Sequence, residues 1–205
     1  QQAKARQSWV DRGIMALGMQ LQGDHTLAEL GEVALRQLAG YMNAQVAAAY
    51  LVGADGKRAR FGGYALSPQH TSDVLLPGEG LMGEALRTRS VHLVRELPEG
   101  YLRVSSAAGA ADPRELLVSP TTYAGRVYAV IEMGFFRKVV TADKELMERA
   151  SEMLALSIRA ARDRSELERL LHETQRQSEE LKTQQEELRV SNEELEPHSK
   201  SLQAS

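Results

Sequence analysis

The sequence predicts an α+β fold: an antiparallel sheet with helices from both chain ends on one face, followed by an α-helical coiled coil. Three observations support this. Residues 3–21 and 26–41 have apolar side chains at helical spacing. From residue 41 to residue 138, the pattern changes to short strand-like runs broken by turn residues. No glycine or aromatic residue follows Lys138, which predicts one long final helix. Leucine then recurs every seven residues, each time after two glutamates.

Composition excludes several classes of function. The net charge is −3, and residues 165–196 hold ten glutamates against four lysines or arginines, so neither nucleic acid nor direct membrane contact is expected. The absence of cysteine excludes disulfides, Cys-ligated zinc, iron–sulfur clusters and a thioether-linked chromophore. Cytoplasmic residence is expected, and no apolar run approaches the ~20 residues of a membrane span. Because the chain begins at Gln1 without a methionine, we expect a piece of a longer protein.

The first half of the chain predicts two helices and a hairpin. Residues 3–21 form the first helix, and Thr26 with Glu29 matches a capping box that opens a second helix reaching about residue 41. Residues 45–52 are a continuous small and apolar run, which indicates a buried strand. After a turn at 53–56, residues 58–66 alternate and are expected to pair with that strand.

The second half predicts a short helix, three strands and the final helix. The helix is expected at 81–89 and the strands at 91–94, 115–119 and 127–136, with a loop over 96–113 and a turn at 124–125. Thr141 is expected to cap the last helix, with Asp143 in its first turn. Loops must then cover the second face of the sheet, where a pocket is expected.

The C-terminal heptads predict a parallel dimeric coiled coil. With the leucines at position d, position a is half polar, which weakens association. The d positions are Leu167, Thr174, Leu181, Leu188 and Leu195, and the a positions are Leu171, Ser178, Gln185, Asn192 and Ser199. Such a coil fits a bistable signalling element, and a plain dimerisation rod is the alternative. Pro197 is expected to end or kink the helix near residue 195.

Two motifs in this sequence point to a known family. The first is Pro-Gly-Glu-Gly-Leu-Met-Gly-Glu-Ala at 77–85, followed by Val-His-Leu-Val at 91–94, and the second is Gly-Arg-Val-Tyr-Ala-Val-Ile-Glu-Met-Gly at 125–134. They resemble the central signature and the last strand pair of GAF domains, and the resemblance covers about residues 16–161. The resemblance implies a GAF-type sheet and a sensory role. Gly78 and Gly80 permit a tight turn with positive φ, serving either a ligand anchor at the following helix or only a strand-to-helix turn.

Four more segments narrow the resemblance: Tyr-Leu-Arg-Val-Ser-Ser at 101–106, Pro-Arg-Glu-Leu-Leu-Val at 113–118, and the coil segments 173–181 and 184–195. They resemble the GAF domains of bacterial hybrid sensor histidine kinases and the coils that follow them. This resemblance implies a two-component parent with kinase (phosphotransferase) activity in sequence outside this chain, anchored in the inner membrane. Similar coils also precede cyclases and chemoreceptor modules.

The candidate ligand site centres on the 101–106 loop. Arg103 offers a bidentate guanidinium, Ser105 and Ser106 offer hydroxyls, and Tyr101 is suited to stack on a flat ligand. The alternative is an ordinary Ser- and Ala-rich flexible loop.

A carboxylate in the last strand is the second part of the candidate site. Glu132 lies in an apolar strand and therefore needs a partner. Arg103 is the expected one, in a structural pair or in a pair with which a ligand competes. Tyr64 and Tyr128 are expected either to line the pocket or to finish the edge of the core.

No catalytic, metal or cofactor site is expected. The histidines lack metal-ligand spacing, and no catalytic triad, phosphate-binding loop or carboxylate pair occurs. His172 and Glu173 only faintly resemble a phosphoacceptor pair, because the residues that should follow are replaced. The cyclic-nucleotide motif of some GAF domains is also missing.

These observations predict an N-terminal signalling helix over residues 1–22, a GAF sensory domain over 23–161 and a coiled-coil linker over 162–205. The expected partners are a second copy bound through both terminal helices and an unknown small-molecule ligand or regulatory protein. The predicted function is to relay a ligand- or partner-induced change to a kinase. The alternative is a GAF module that binds no ligand and serves only dimerisation and relay.

Overall fold

The structure is a computed structural model with four helices and eight strands among its described residues. These are residues 1–66, 74–76, 78, 80–97, 99–102, 104–106 and 109–203. The chain divides into two compact units, Gln1–Arg162 and Asp163–Ser205. The helices are α1 (Gln2–Gln20), α2 (Leu27–Met42), α3 (Gly80–Thr88) and α4 (Thr141–Gln203).

Six strands form one antiparallel sheet, which confirms the predicted α+β class. Its order is β3-β2-β1-β8-β7-β4, and every neighbouring pair is antiparallel. The strands of this sheet are β1 (Val46–Val52), β2 (Arg58–Tyr64), β3 (Val74–Leu75), β4 (His92–Arg95), β7 (Glu115–Tyr123) and β8 (Arg126–Phe135). β5 (Val104–Ser106) and β6 (Gly109–Ala111) form a separate two-stranded hairpin.

Local chemistry explains where α2 begins. The Thr26 hydroxyl accepts from the backbone N–H of Glu29, and the Glu29 carboxylate accepts from the backbone N–H of Thr26. The predicted capping box is therefore confirmed, since the backbone N–H groups of Thr26 and Glu29 each find a side-chain partner. Asn43 ends the helix in the left-handed region, with φ of 55°.

The helix-covered face of the sheet carries the main core. Leu17 of α1, Leu35 of α2 and Leu146 of α4 are fully buried against residues such as Ile131 of β8. α2 lies directly on β2, because a Cβ on Gly31 would come within 2.4 Å of the Phe61 carbonyl oxygen. Only glycine allows this close approach.

Within the first unit, α1 packs beside the first turns of α4. Leu17 and Leu154 share one apolar cluster, and the guanidinium of Arg149 pairs with Asp11. α1 is therefore part of the globular unit. Its role as a signalling helix stays a prediction.

The loop-covered face holds a second apolar cluster. Tyr50 of β1, Met82 of α3 and Val118 of β7 are buried there, and Leu97 and Leu102 from the connecting segments pack against them. In the described part of this face, side chains therefore fill much of the space above the sheet.

The strands differ from the expected ones in three places, where the sequence pattern is weak. β3 and the β5–β6 hairpin were not expected, because the first has only two residues and the second is a Ser-, Ala- and Gly-rich stretch without alternation. β7 continues through Pro120 rather than ending at residue 119. Proline is tolerated there because β4 pairs with β7 only up to Val118, which leaves one edge of β7 unpaired.

The expectations for the two ends of α4 also need correction. Val140, not Thr141, is the residue before the helix, and its N–H donates to the Asp143 carboxylate at 2.8 Å. Of the two expectations for Pro197, an end of the helix near residue 195 is wrong, because α4 continues through Pro197 to Gln203, and a kink there stays a prediction. A proline removes one backbone hydrogen bond at a cost of about 3 kcal/mol, and here the flanking residues stay helical on both sides.

Candidate functional site

Glu132 places a carboxyl group on the loop-covered face of the sheet. It lies on β8, a central strand, in register with Ala48 of β1 and Val118 of β7. Residues directly opposite one another in an antiparallel sheet share a face. Because Ala48 and Val118 belong to the loop-side cluster, the Glu132 carboxyl also lies on that side.

Tyr101 is the hydrogen-bond partner that the structure gives to Glu132. The Tyr101 hydroxyl donates to the carboxylate and holds the pKa of Glu132 down, but burial is the larger effect and raises that pKa to about 7. Burial, followed by the negative charge of Glu132, raises the pKa of Tyr101 to about 12. With 43 % of its surface exposed, Tyr101 connects the buried carboxyl to the outside of the domain.

The rest of the predicted site is described only in part. Arg103, the expected partner of Glu132, lies outside the described residues. Ser105 is exposed in β5, opposite Ala110 of β6, and Ser106 ends the same strand. The structure therefore brings together Tyr101 and Glu132 from the predicted set, and ligand binding by the set stays a prediction.

The glycine turn before α3 has the expected backbone. Gly78 and Gly80 have φ values of +78° and +65°, which favour glycine. The turn leads directly into α3, whose Met82 and Ala85 are buried in the loop-side cluster. Whether it anchors a ligand or only connects two elements stays open.

Tyr64 and Tyr128 lie on the other side of the sheet from Glu132, in line with the alternative that they finish the edge of the core. Tyr64 packs against the main core on the helix side. Tyr128 is buried with Ile158 of α4. A register shift between Thr121 and Thr122 leaves Tyr128 without an opposite residue, and this bulge interrupts the alternation of β8 between the two faces.

Tyr50 is a loop-side residue that the sequence analysis missed. Tyr50 is part of β1, where it lies opposite Val130 of β8 and diagonal to Glu132, and only 4 % of its surface is exposed. Residues 45–52 are a continuous apolar run, so the sequence does not indicate which side chains face the loops. Only the register shows that Tyr50 belongs to this face.

The predicted coil residues lie on one helix in the second unit. The exposed fractions of its seam leucines lie between 59 % and 64 %, and Asn192 is also exposed. These leucines are Leu167, Leu171, Leu181, Leu188 and Leu195. Arg189 pairs with Glu186 at 2.5 Å and Glu193 at 2.6 Å within its own helix. These glutamates therefore support the helix locally, and the leucines remain available to a partner helix.

The described residues provide neither a cluster of metal ligands nor a membrane-spanning helix. No group of three or more His, Cys, Asp or Glu side chains there is arranged to hold a metal ion. Among the same residues, no helix is both long enough and apolar enough to cross a bilayer.

Solved structures with this fold include proteins of several kinds. The GAF domain of a phosphoenolpyruvate-protein phosphotransferase from Coxiella burnetii is 14% identical, with a TM-score of 0.64, over 76% of this chain and 96% of that one. The free methionine-R-sulfoxide reductase from Neisseria meningitidis, in complex with its substrate, is 14% identical, with a TM-score of 0.59, over 80% and 93%. The chromophore-binding domain of a bacteriophytochrome from R. palustris is 13% identical, with a TM-score of 0.53, over 74% and 62%.

At these identities the structural likenesses show the fold alone. No curated protein matches the chain. The sequence model described as the GAF domain matches residues 24–159, which is more than half of the chain. The chain therefore belongs to the GAF domain family.

Proposed function

We propose that this chain is the regulatory sensor and signal-relay domain of a bacterial two-component sensor histidine kinase. It dimerises through its terminal helices and passes a ligand- or partner-induced change to a kinase module elsewhere in the parent protein. A GAF domain is a regulatory module, and we expect no enzymatic activity from this chain by itself.

The main support for signal relay is that α4 contributes residues both to the GAF core and to the predicted dimer seam. Its first turns contribute Leu146 and Leu154 to the GAF core, and the same helix later carries the exposed leucine heptads. Leucines that are about 60 % exposed at seven-residue spacing favour burial against a second copy. One helix that belongs to both a sensory core and a dimer seam is suited to transmit a change of position.

The heptad proposal is tested by matched substitutions on this helix. Leu188→Glu places a charge in the proposed seam, whereas Val190→Glu places the same charge two residues away, outside positions a and d. We expect the wild type and Val190→Glu to be dimers in sedimentation equilibrium, and Leu188→Glu to dissociate at concentrations at least about tenfold higher. Equal dissociation of both variants, or a monomeric wild type, would contradict the proposed seam.

The Tyr101–Glu132 pair supports the sensory part of the proposal. A carboxyl with a pKa near neutrality, hydrogen-bonded to a half-exposed tyrosine, is a polar group that a ligand reaches by displacing one hydroxyl. A polar small molecule that bonds to Glu132 would release Tyr101 and the segment that carries it. Arg103 and Ser105, which follow Tyr101 closely in the sequence, are the proposed sources of further polar contacts.

Thermal shifts against a broad metabolite set test for this ligand. We expect a compound that stabilises the wild type to stabilise Glu132→Gln and Arg103→Ala much less, because each variant loses one charged contact. Glu148→Gln, an exposed change on α4, is the matched control and should respond as the wild type does. A compound that stabilises all four proteins equally would bind elsewhere.

The alternative is a GAF module that only dimerises and relays. The apolar side chains that fill the described loop-side face favour this alternative, because they leave less room for a ligand. It predicts no stabilising compound in the same screen, together with an intact dimer. Incubation of the chain with labelled ATP is expected to give no phosphorylation under either proposal, and a labelled chain would contradict both.

A further inference from the structure

Two arginines lie where β8 begins beside the end of β1: Arg126 contacts Tyr128, and Arg162 binds Val52, the residue after the Leu51–Ala129 pair. The guanidinium carbon of Arg126 lies 5.1 Å from the centre of the Tyr128 ring. On the other element, Ile158 packs in the same cluster as Tyr128, and Arg162 follows one helical turn later on α4. This group lies in the cluster formed with α2 and α4, whereas Glu132 belongs to the loop-covered face.

Arg162 is held in place but is not neutralised. One of its nitrogens, Nη2, donates to the Val52 carbonyl at 3.2 Å. Burial is the main cause that lowers the pKa of Arg162, the positive charge of Arg126 is the second, and Tyr128 acts in the opposite direction. Within the described part of the chain, no carboxylate forms an ion pair with Arg126 or Arg162.

Such an arrangement is unfavourable without a counter-ion. Like charges that repel each other in a half-buried position raise the free energy of the fold, and an anion between them reverses the sign of that interaction. A guanidinium has five N–H donors, and Arg162 uses one of its nitrogens, Nη2, to donate to the Val52 carbonyl. The remaining donors of both arginines form the planar forks that match carboxylate and phosphate oxygens.

We propose that Arg126 and Arg162, positioned by Tyr128, bind a small oxyanion, either a phosphate or a carboxylate. The bound anion would join the first residue of β8 to α4 by charge-assisted hydrogen bonds. This site is separate from the proposed sensory site, and its test does not depend on the outcome for Glu132.

The test uses the full chain, with inorganic phosphate and acetate as the probes. Melting temperature is followed against the concentration of each anion at fixed ionic strength, with chloride as the balancing ion. The variants are Arg162→Gln and Arg126→Gln, and the matched control is Arg36→Gln, an exposed arginine on α2. We expect phosphate or acetate to stabilise the wild type and Arg36→Gln with a saturating curve, and the anion that does so identifies the ligand class.

We expect each site variant to bind the active anion at least about tenfold more weakly, because each loses charge-assisted hydrogen bonds. Identical anion curves for all four proteins, or no response beyond that to chloride, would overturn the proposal. Arg126 is exposed, so Arg126→Gln remains informative even where Arg162→Gln does not fold. In chloride alone Arg126→Gln loses both the repulsion with Arg162 and the ring contact with Tyr128, so its melting temperature should stay close to that of the wild type. A clearly lower melting temperature with unchanged phosphate response would indicate a purely structural role.

Discussion

Replacing Glu132 with glutamine is expected to stabilise the protein above neutral pH and to change little in acid. Burial raises the pKa of Glu132 to about 7 from 4.5. The folded state therefore keeps a proton that the unfolded chain releases between these two values, and wild-type stability falls as pH rises through this window. Glutamine has no proton to lose, and its carbonyl oxygen still accepts a hydrogen bond from Tyr101.

The size of the effect follows from the two pKa values. At about 1.4 kcal/mol per pH unit, the rise from 4.5 to about 7 corresponds to roughly 3 kcal/mol at pH 8. Below pH 4.5 Glu132 is protonated in both states, and the contribution disappears. The difference between wild type and Glu132→Gln should thus grow from near zero at pH 4.5 to roughly 3 kcal/mol at pH 8.

Urea unfolding at half-unit intervals between pH 4.5 and 8 measures this difference. Subtracting one protein from the other cancels the titration of all other groups. Glu148→Gln on the exposed side of α4 is the control, and its difference from wild type should not follow this curve. If the difference in the free energy of unfolding between wild type and Glu132→Gln stayed constant within about 0.5 kcal/mol across this pH range, the inference of a buried, protonated carboxyl would be refuted.

Four further changes have expected outcomes. Tyr101→Phe removes the bond that favours the ionised carboxylate, so the pKa of Glu132, followed by NMR, should rise further. Asp143→Ala removes the two carboxylate contacts of the Arg137 guanidinium, at 2.7 and 2.8 Å. It should therefore lower the free energy of unfolding, measured by urea unfolding, by about 3 kcal/mol. Gly31→Ala should cost about 2 kcal/mol in the same assay because of the 2.4 Å approach to a backbone carbonyl, whereas Gly40→Ala, with open space around it, should gain up to about 1 kcal/mol.

The predictable features are those written into a few neighbouring residues. The Thr26–Glu29 capping box, the positive φ of Gly78 and Gly80, and the turn at Ala124 and Gly125 are all present as expected. Each depends on side chains within one turn of each other, so sequence spacing is sufficient to identify it.

The sequence identified Tyr101 and Glu132 as candidate site residues but not as each other's partners. It indicated that a carboxylate at position 132 needs a partner and proposed Arg103, which lies outside the described residues. The structure gives Tyr101 as a partner, because Leu97 and Leu102 hold the segment after β4 against the loop-side cluster. Tyr128 was expected either to line the pocket or to finish the edge of the core, and it does the second, since a bulge opposite Thr121 and Thr122 interrupts the alternation of β8.

The sequence by itself determined the α+β class, the order of its main helices and strands, and the leucine spacing of α4, because these follow from local periodicity and capping. Only the tertiary structure decided which side chains share a face: Tyr101 with Glu132 on the loop side, and Arg126 with Arg162 at Tyr128. Such pairs lie far apart in the chain, and their meeting depends on strand register and helix packing rather than on any local pattern.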